Sequence, residues 1–190
     1  MTPDVVLLDA NVLYPAPLRD LLLQMAFIGL YQVRWSIEIE DEWKRNLIAA
    51  RPDLLDRIER TQTVMRRGFP DVLVTGYTHL IPMLPLPDPD DRHVLAAAIT
   101  GTAEVIVTFN TRDFPAEAPA PYGITAQNPD VFLQGMIADR PAAVLASVRT
   151  CLARLTLPPV TQADYLATLR RLGLPETAAF LATDEKIWQP

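Results

Sequence analysis

The chain is poor in the residues on which many small catalytic and metal-binding proteins depend. Its 190 residues include one cysteine, Cys151, which excludes an intramolecular disulfide and any cysteine-based metal centre. Two histidines, His79 and His93, are too few for a histidine-rich zinc site. Lys44 and Lys186 are the only lysines, so chemistry that needs a core lysine has little to draw on. No apolar run approaches the roughly 18 residues that span a bilayer. The opening MTPDVVLLDANVLYP has neither a basic leader nor a signal-like apolar stretch and reads as a first strand. A cytoplasmic protein with no membrane segment is therefore expected. Positive charge is also in deficit, 17 Lys and Arg against 23 Asp and Glu, for a net charge of −6. That balance weighs against a general nucleic-acid binder with a basic face. Local clusters such as Lys44-Arg45 and Arg66-Arg67 survive inside the acidic total, and a bound cation would reverse the sign locally.

What the chain does have is 49% hydrophobic residues, enough for a substantial core, in a length that suits one domain with or without an appended piece. VVLL (Val5 to Leu8) and VIVTF (Val105 to Phe109) are apolar at nearly every position. Such runs suit strands covered on both faces, as in a parallel sheet. Shorter strand candidates are Val33 to Trp35, Val72 to Val74 and Ile124 to Ala126. Between them run stripes at helical spacing: Leu18, Leu21, Leu22, Met25 and Ile28; Ile39, Trp43 and Leu47; Leu54, Ile58 and Met65; and Val94 to Ile99 before Gly101. Strands alternating with helices indicate an α/β fold with a mostly parallel central sheet. Beyond Asn128 the pattern turns helical: Pro129 to Gly135, a helix capped by Asp139 and running to about Leu155, the linker LPPVTQAD, a helix capped by Thr161 and stopped by Gly173, and a last one from Pro175 to about Leu181. The expected division is 1–130 for the α/β part and 131–190 for a helical extension.

Acidic residues recur at the ends of these apolar segments. Asp9 follows the first strand, Glu42 edges the Ile39–Trp43 stripe, Asp91 opens the helix containing Leu95 and Ala98, and Asn110 and Asp113 follow the second buried strand. Parallel sheets bind ligands at the carboxyl ends of their strands. Two carboxylates ~4 Å apart repel by roughly 4 kcal/mol at an effective dielectric near 20, so gathering several calls for a divalent cation. Each acid also has a plainer reading: a helix cap or turn for Asp9, macrodipole charge for Asp91, a solvated acid for Glu42, an Asx turn for Asn110 or Asp113. Spacing sets Asp91 on the buried face of its helix, which leaves the macrodipole role to Asp88 or Asp90. Glu38, Glu40 and Asp41 are expected in solvent.

DANVLYP, Ser36 with Glu42 six residues on, DDRHVLAAAI and VTFNTRDFP, in that order, resemble the PIN domain over about residues 4 to 130. The resemblance implies a PIN-like three-layer sandwich and a metal-dependent, single-strand-specific ribonuclease, including the VapC-like toxins of toxin–antitoxin pairs. It assigns metal-binding and catalytic roles to Asp9, Glu42 and Asp91. Many members show T-x-D where this chain has Thr108-Phe109-Asn110, so Asp113 is the substitute ligand. The implied cofactor is Mg²⁺ or Mn²⁺. Beside these ligands, Asn11, Ser36, Thr108 and Asn110 are the candidates for ordering ligands or water, and Arg92 and Arg112 for steering RNA phosphates, with solvated surface charge the plainer and favoured reading of each arginine. The implied partners are an RNA substrate, a cognate antitoxin and a second copy in a homodimer; the Leu18–Leu22–Met25 stripe or the C-terminal helices are the candidate antitoxin interface, with internal packing against the sheet the stronger reading of the stripe. Two rivals stand beside this reading. A haloacid-dehalogenase-like phosphatase wants a second Asp where this chain has Asn11. A non-catalytic scaffold that binds RNA or protein would explain the neutral Asn110.

Overall fold

The computed structural model describes residues 4–155, 160–184 and Trp188. Residues 157–159 of the expected linker, and Lys186, lie outside the described residues. Five strands, β1 (Val5–Leu8), β2 (Gln32–Ser36), β3 (Leu73–Val74), β4 (Val105–Val107) and β5 (Thr125–Gln127), form one sheet in the order β3-β2-β1-β4-β5. Every pairing is parallel. Val6, Leu7 and Leu8 have no exposed surface, as an apolar run covered by helices on both faces must. The chain leaves central β1 toward β2 and returns on the other side as β4. The switch point of the sheet therefore lies between β1 and β4, where parallel folds open a crevice beyond the strand ends.

The short helix α1 (Ala10–Leu13) and the longer α2 (Ala16–Phe27) follow β1. Four residues carry too little periodicity to announce α1 from sequence. Next come α3 (Ile37–Ala50) and α4 (Leu55–Gly68), then α5 (Arg92–Thr100). Asp88 accepts a hydrogen bond from Asp90 N (2.9 Å) and caps the 3-10 turn that leads into α5, which leaves the Asp91 side chain out of capping. Ala96, Ala97 and Ala98 are wholly buried, and their small side chains let α5 lie close to β2 and β4. Gly101 ends this helix where a Cβ would stand 2.8 Å from Val74 Cγ2, so the close approach requires glycine.

The C-terminal part comprises α6 (Pro129–Asp139), α7 (Pro141–Ala153), α8 (Gln162–Arg171) and α9 (Pro175–Ala182). Two expectations are corrected. α6 passes through Gly135 to Asp139, because Gly135 faces open space and meets no constraint that would stop the helix. Asp139 therefore sits in the last turn of α6, and the residue ahead of α7 is Arg140, with no side-chain cap. Thr161 caps α8 through its hydroxyl, which accepts from Asp164 N (3.2 Å) and donates to Asp164 Oδ2 (2.6 Å). Buried Asp130 of α6 accepts from Glu176 N, Thr177 N and Thr177 Oγ1, which pins the start of α9. α7 packs on α2, and Val144 and Val148 share one core with Leu18, Leu22 and Met25. The Leu18–Leu22–Met25 stripe is thus internal packing, the stronger of its two readings, and does not serve as a docking face.

Candidate acidic site at the carboxyl edge of the sheet

Parallel pairing sets Leu8 beside Val107, so the residues that follow, Asp9 and Thr108, leave the sheet side by side. Asp9 N still donates to Val107 O (3.2 Å), extending the ladder by one residue. The Asp9 carboxylate is 4% exposed. Its Oδ1 accepts from Ala10 N (2.6 Å), so the cap reading of Asp9 holds. Its Oδ2 accepts from Asn11 Nδ2 (2.7 Å) and Thr108 Oγ1 (2.7 Å). Asn11 Nδ2 also reaches Thr108 Oγ1 (2.9 Å), while Asn11 Oδ1 accepts from Phe109 N (3.1 Å). Thr108 Oγ1 in turn accepts from Asn110 N (3.0 Å). Asn11 and Thr108 therefore fix Asp9 from the side, as their positions beside it suggested. Asn110 joins through its backbone, and its side chain is exposed.

Glu42 acts on Asp9 through space, and Asp91 feels Asp9, Asp113 and Glu42 together. Burial pushes the Asp9 carboxyl up to about 6 against the opposing hydrogen bonds, with Glu42 adding to the rise. Asp91, half-buried at the start of α5, is pushed up to about 7, first by desolvation and then by the charges of Asp9, Asp113, Asp88 and Glu42. Asp113 ends the 3-10 turn Thr111–Asp113 after β4 and is half-buried. The four expected acids, Asp9, Glu42, Asp91 and Asp113, thus belong to one electrostatic neighbourhood at the rim of the switch point. Among the described residues, no side-chain cation bridges Asp9, Asp91 or Asp113.

Among those same residues, no three acidic, histidine or cysteine side chains already stand close enough to hold an ion. The acids form a loose rim and not a closed cage. Mg²⁺ keeps several of its waters and binds through one or two carboxylates, so a loose rim of oxygen donors suits it, and Mn²⁺ shares its preference for oxygen. The donor chemistry fits a hard divalent cation and does not fit zinc, which takes nitrogen and sulfur in a tight tetrahedron.

The remaining expected residues fall around this rim. Ser36 is fully buried and accepts from Ile39 N (3.2 Å); it caps α3 and so sets the direction of the helix that carries Glu42. Its part is to hold the helix and not to meet a carboxylate. Glu42 is 36% exposed in its side chain and stands 3.8 Å from His93 Nε2. Arg112 is exposed, whereas Arg92 is half-buried with an Nε that meets no acceptor. Glu40 was expected in solvent and is instead wholly buried. It accepts from Trp35 Nε1 (3.0 Å), Gln62 Nε2 and Arg66 Nε, with Arg66 Nη2 at 2.7 Å. Glu38 accepts a hydrogen bond from the Tyr77 hydroxyl and is half-buried, whereas Asp41 is in solvent as expected. Glu40 was missed because Gln62 and Arg66 sit on α4, more than twenty residues on, and only the packing of α3 against α4 brings them to it.

A parallel sheet with acids at its switch point is the frame on which this class of protein is built, and the chain belongs to the PIN domain family, whose model matches residues 5–112. A second family model, described as the VapC50 C-terminal domain, matches residues 129–183. Among individual proteins, a candidate ribonuclease of Mycobacterium tuberculosis, VapC50, is 42% identical over 79 residues, which are 42% of this chain and 47% of that protein. The chain thus spans about half the length of the curated relative it matches. No solved structure matches it. No described helix is long and apolar enough to cross a membrane.

Proposed function

We propose that this protein is a divalent-cation-dependent endoribonuclease that cuts single-stranded RNA, and that it is the toxin of a toxin–antitoxin pair. The observation that carries the proposal is that desolvated Asp9 and Asp91, with the acids whose charges act on them, gather at the β1–β4 switch point, and that among the described residues no side-chain cation bridges Asp9, Asp91 or Asp113. In this reading residues 1–130 carry the chemistry, and the helices of 131–190 buttress α2 from behind.

Asp9, Glu42, Asp91 and Asp113 would hold Mg²⁺ or Mn²⁺. When bound, the cation supplies Lewis-acid stabilisation of phosphoryl charge and makes an attacking water more acidic. The chain's own residues do the positioning. Asn11 and Thr108 hold Asp9 Oδ2 in one direction, so the carboxylate does not have to be ordered when the cation enters. Burial of Asp9 weakens its hydration and favours exchange of water for a cation. Exposed Arg112 lies beside Asp113, where it can attract a phosphate without neutralising the site. Arg92, at the start of α5, is the second candidate for phosphate contact.

Asn11 weakens the phosphatase reading. A second acid is wanted there, and Asn11 uses both ends of its amide to tie Asp9, Thr108 and Phe109 together. The relative's name supports the nuclease reading, as does the match of its C-terminal domain model to residues 129–183. By the same likeness, a small antitoxin that covers the acidic rim is the partner to look for, and a homodimer is a second assembly to test. Cleavage of single-stranded RNA in Mg²⁺ or Mn²⁺ should be lost on chelation and in both Asp9→Asn and Asp91→Asn. Hydrolysis of small phosphate esters would favour the phosphatase. RNA binding without cleavage by the wild-type protein would favour the scaffold.

A further inference from the structure

His93 is the histidine nearest the acidic rim, and it is neither a helix cap nor an expected ligand. It lies on α5 two residues after Asp91, with a side chain 18% exposed. Its two ring nitrogens face different surroundings. Nε2 stands 3.8 Å from Glu42 Oε2, in range of a charge but longer than a hydrogen bond. Nδ1 is buried and meets no acceptor at all. Nδ1 is left without a partner in either neutral tautomer, so the surroundings of Nε2 decide between them. The tautomer with its single proton on Nε2 turns a donor, and not a second lone pair, toward the Glu42 carboxylate.

Glu42 needs such a neighbour. Ser36 holds the start of its helix, but no hydrogen bond between described residues fixes the carboxylate itself, which is more than a third exposed. Asp9 by contrast is tied by three donors. Resting on the nuclease reading above, we propose that His93 is a positioning residue: a neutral imidazole whose Nε2–H turns the Glu42 carboxylate toward the acidic rim. A neutral donor suits the task, because a lysine or arginine in the same place would neutralise Glu42 and compete with the cation.

The geometry of the ring separates this role from simple packing. Glutamine can present its amide nitrogen where Nε2 stands, whereas asparagine reaches only as far as Nδ1. Calorimetric titration with Mn²⁺ would be run on the wild type, His93→Gln, His93→Asn and His93→Leu, with metal-free thermal midpoints measured alongside. We expect His93→Gln to bind Mn²⁺ within about threefold of the wild type, and the other two to bind about tenfold more weakly or worse, the usual cost of losing an outer-shell partner. Equal affinity in all four proteins overturns the role of His93 while leaving the nuclease reading in place. Weakening in all three variants alike, tracking their thermal midpoints, overturns it in favour of packing. A wild type that takes up no Mn²⁺ removes the nuclease reading and this role together.

Discussion

Two glutamates on α3, two residues apart, meet opposite fates. Glu40 is wholly buried and fully answered: Trp35, Gln62 and Arg66 satisfy its oxygens and join β2, α3 and α4. Glu42 is partly exposed and faces Asp9 and Asp91 with no cation among the described residues to balance them. The buried acid is structural because its charge is neutralised from within the chain. The rim acids are left unbalanced at the edge where parallel sheets bind ligands. Burial alone thus does not separate a structural acid from one proposed to hold a cation; what separates Glu40 from the rim acids is that the chain itself supplies its opposite charge.

The comparison breaks most severely at Glu40. Glu40→Ala leaves Arg66 and the buried Trp35 N–H without their acceptor. Because Arg66 is 42% exposed, the loss should fall below the ~3–5 kcal/mol of a fully buried pair, at about 2–3 kcal/mol. Chemical denaturation should read that loss, with Mn²⁺ affinity per folded molecule unchanged. Thr108→Val removes a hydroxyl that donates to Asp9 and accepts from Asn110 N. It should cost about 1–2 kcal/mol by the same measurement and weaken Mn²⁺ binding as well.

At the rim the sign reverses. Asp9 and Asp91 have folded-state values near 6 and 7 against an ordinary 3.8. A carboxyl raised by folding keeps its proton longer in the native state than in the unfolded chain. Its favourable contribution is therefore complete below about pH 4 and is lost as pH rises through about 6 to 7. The metal-free protein should lose stability across that window, and Asp91→Asn should flatten much of the loss in a pH series of thermal midpoints. The smallest effect is expected at Arg112→Ala. Filter binding to single-stranded RNA over a salt series should show uniform weakening and a slope reduced by about one.

How much of this could be read from the sequence depended on range. The strands were legible because Val5 to Leu8 and Val105 to Val107 are apolar throughout, and Asp9 and Asp91 stood out because spacing ties each to a buried element. The half-buried place of Asp91 was legible too, from its spacing of four and seven to Leu95 and Ala98, whereas spacing did not decide which of Asp88 and Asp90 caps the turn before it; the structure gives that part to Asp88. Glu40 was not legible: it lies beside the Ile39–Trp43 stripe, and whether that edge is wet depends on α4. The same limit hid α1, too short to show a period, and the passage of α6 through Gly135, where a glycine that usually stops a helix meets open space. Asn11 was read as a neighbour of the site, but its three-way tie to Asp9, Thr108 and Phe109 needed the β1–β4 register.

The unbalanced charge at the switch point is tested most directly by the thermal midpoint of the wild type and Asp91→Asn at pH 8, each with and without Mn²⁺. Without metal, Asp91→Asn should melt several degrees above the wild type, because one of the repelling charges is gone. Mn²⁺ should raise the wild type to or beyond that level and leave the variant nearly unmoved, as binding to the native state alone requires. A wild type indifferent to Mn²⁺, melting at the same temperature as Asp91→Asn, would contradict a cation site at this rim.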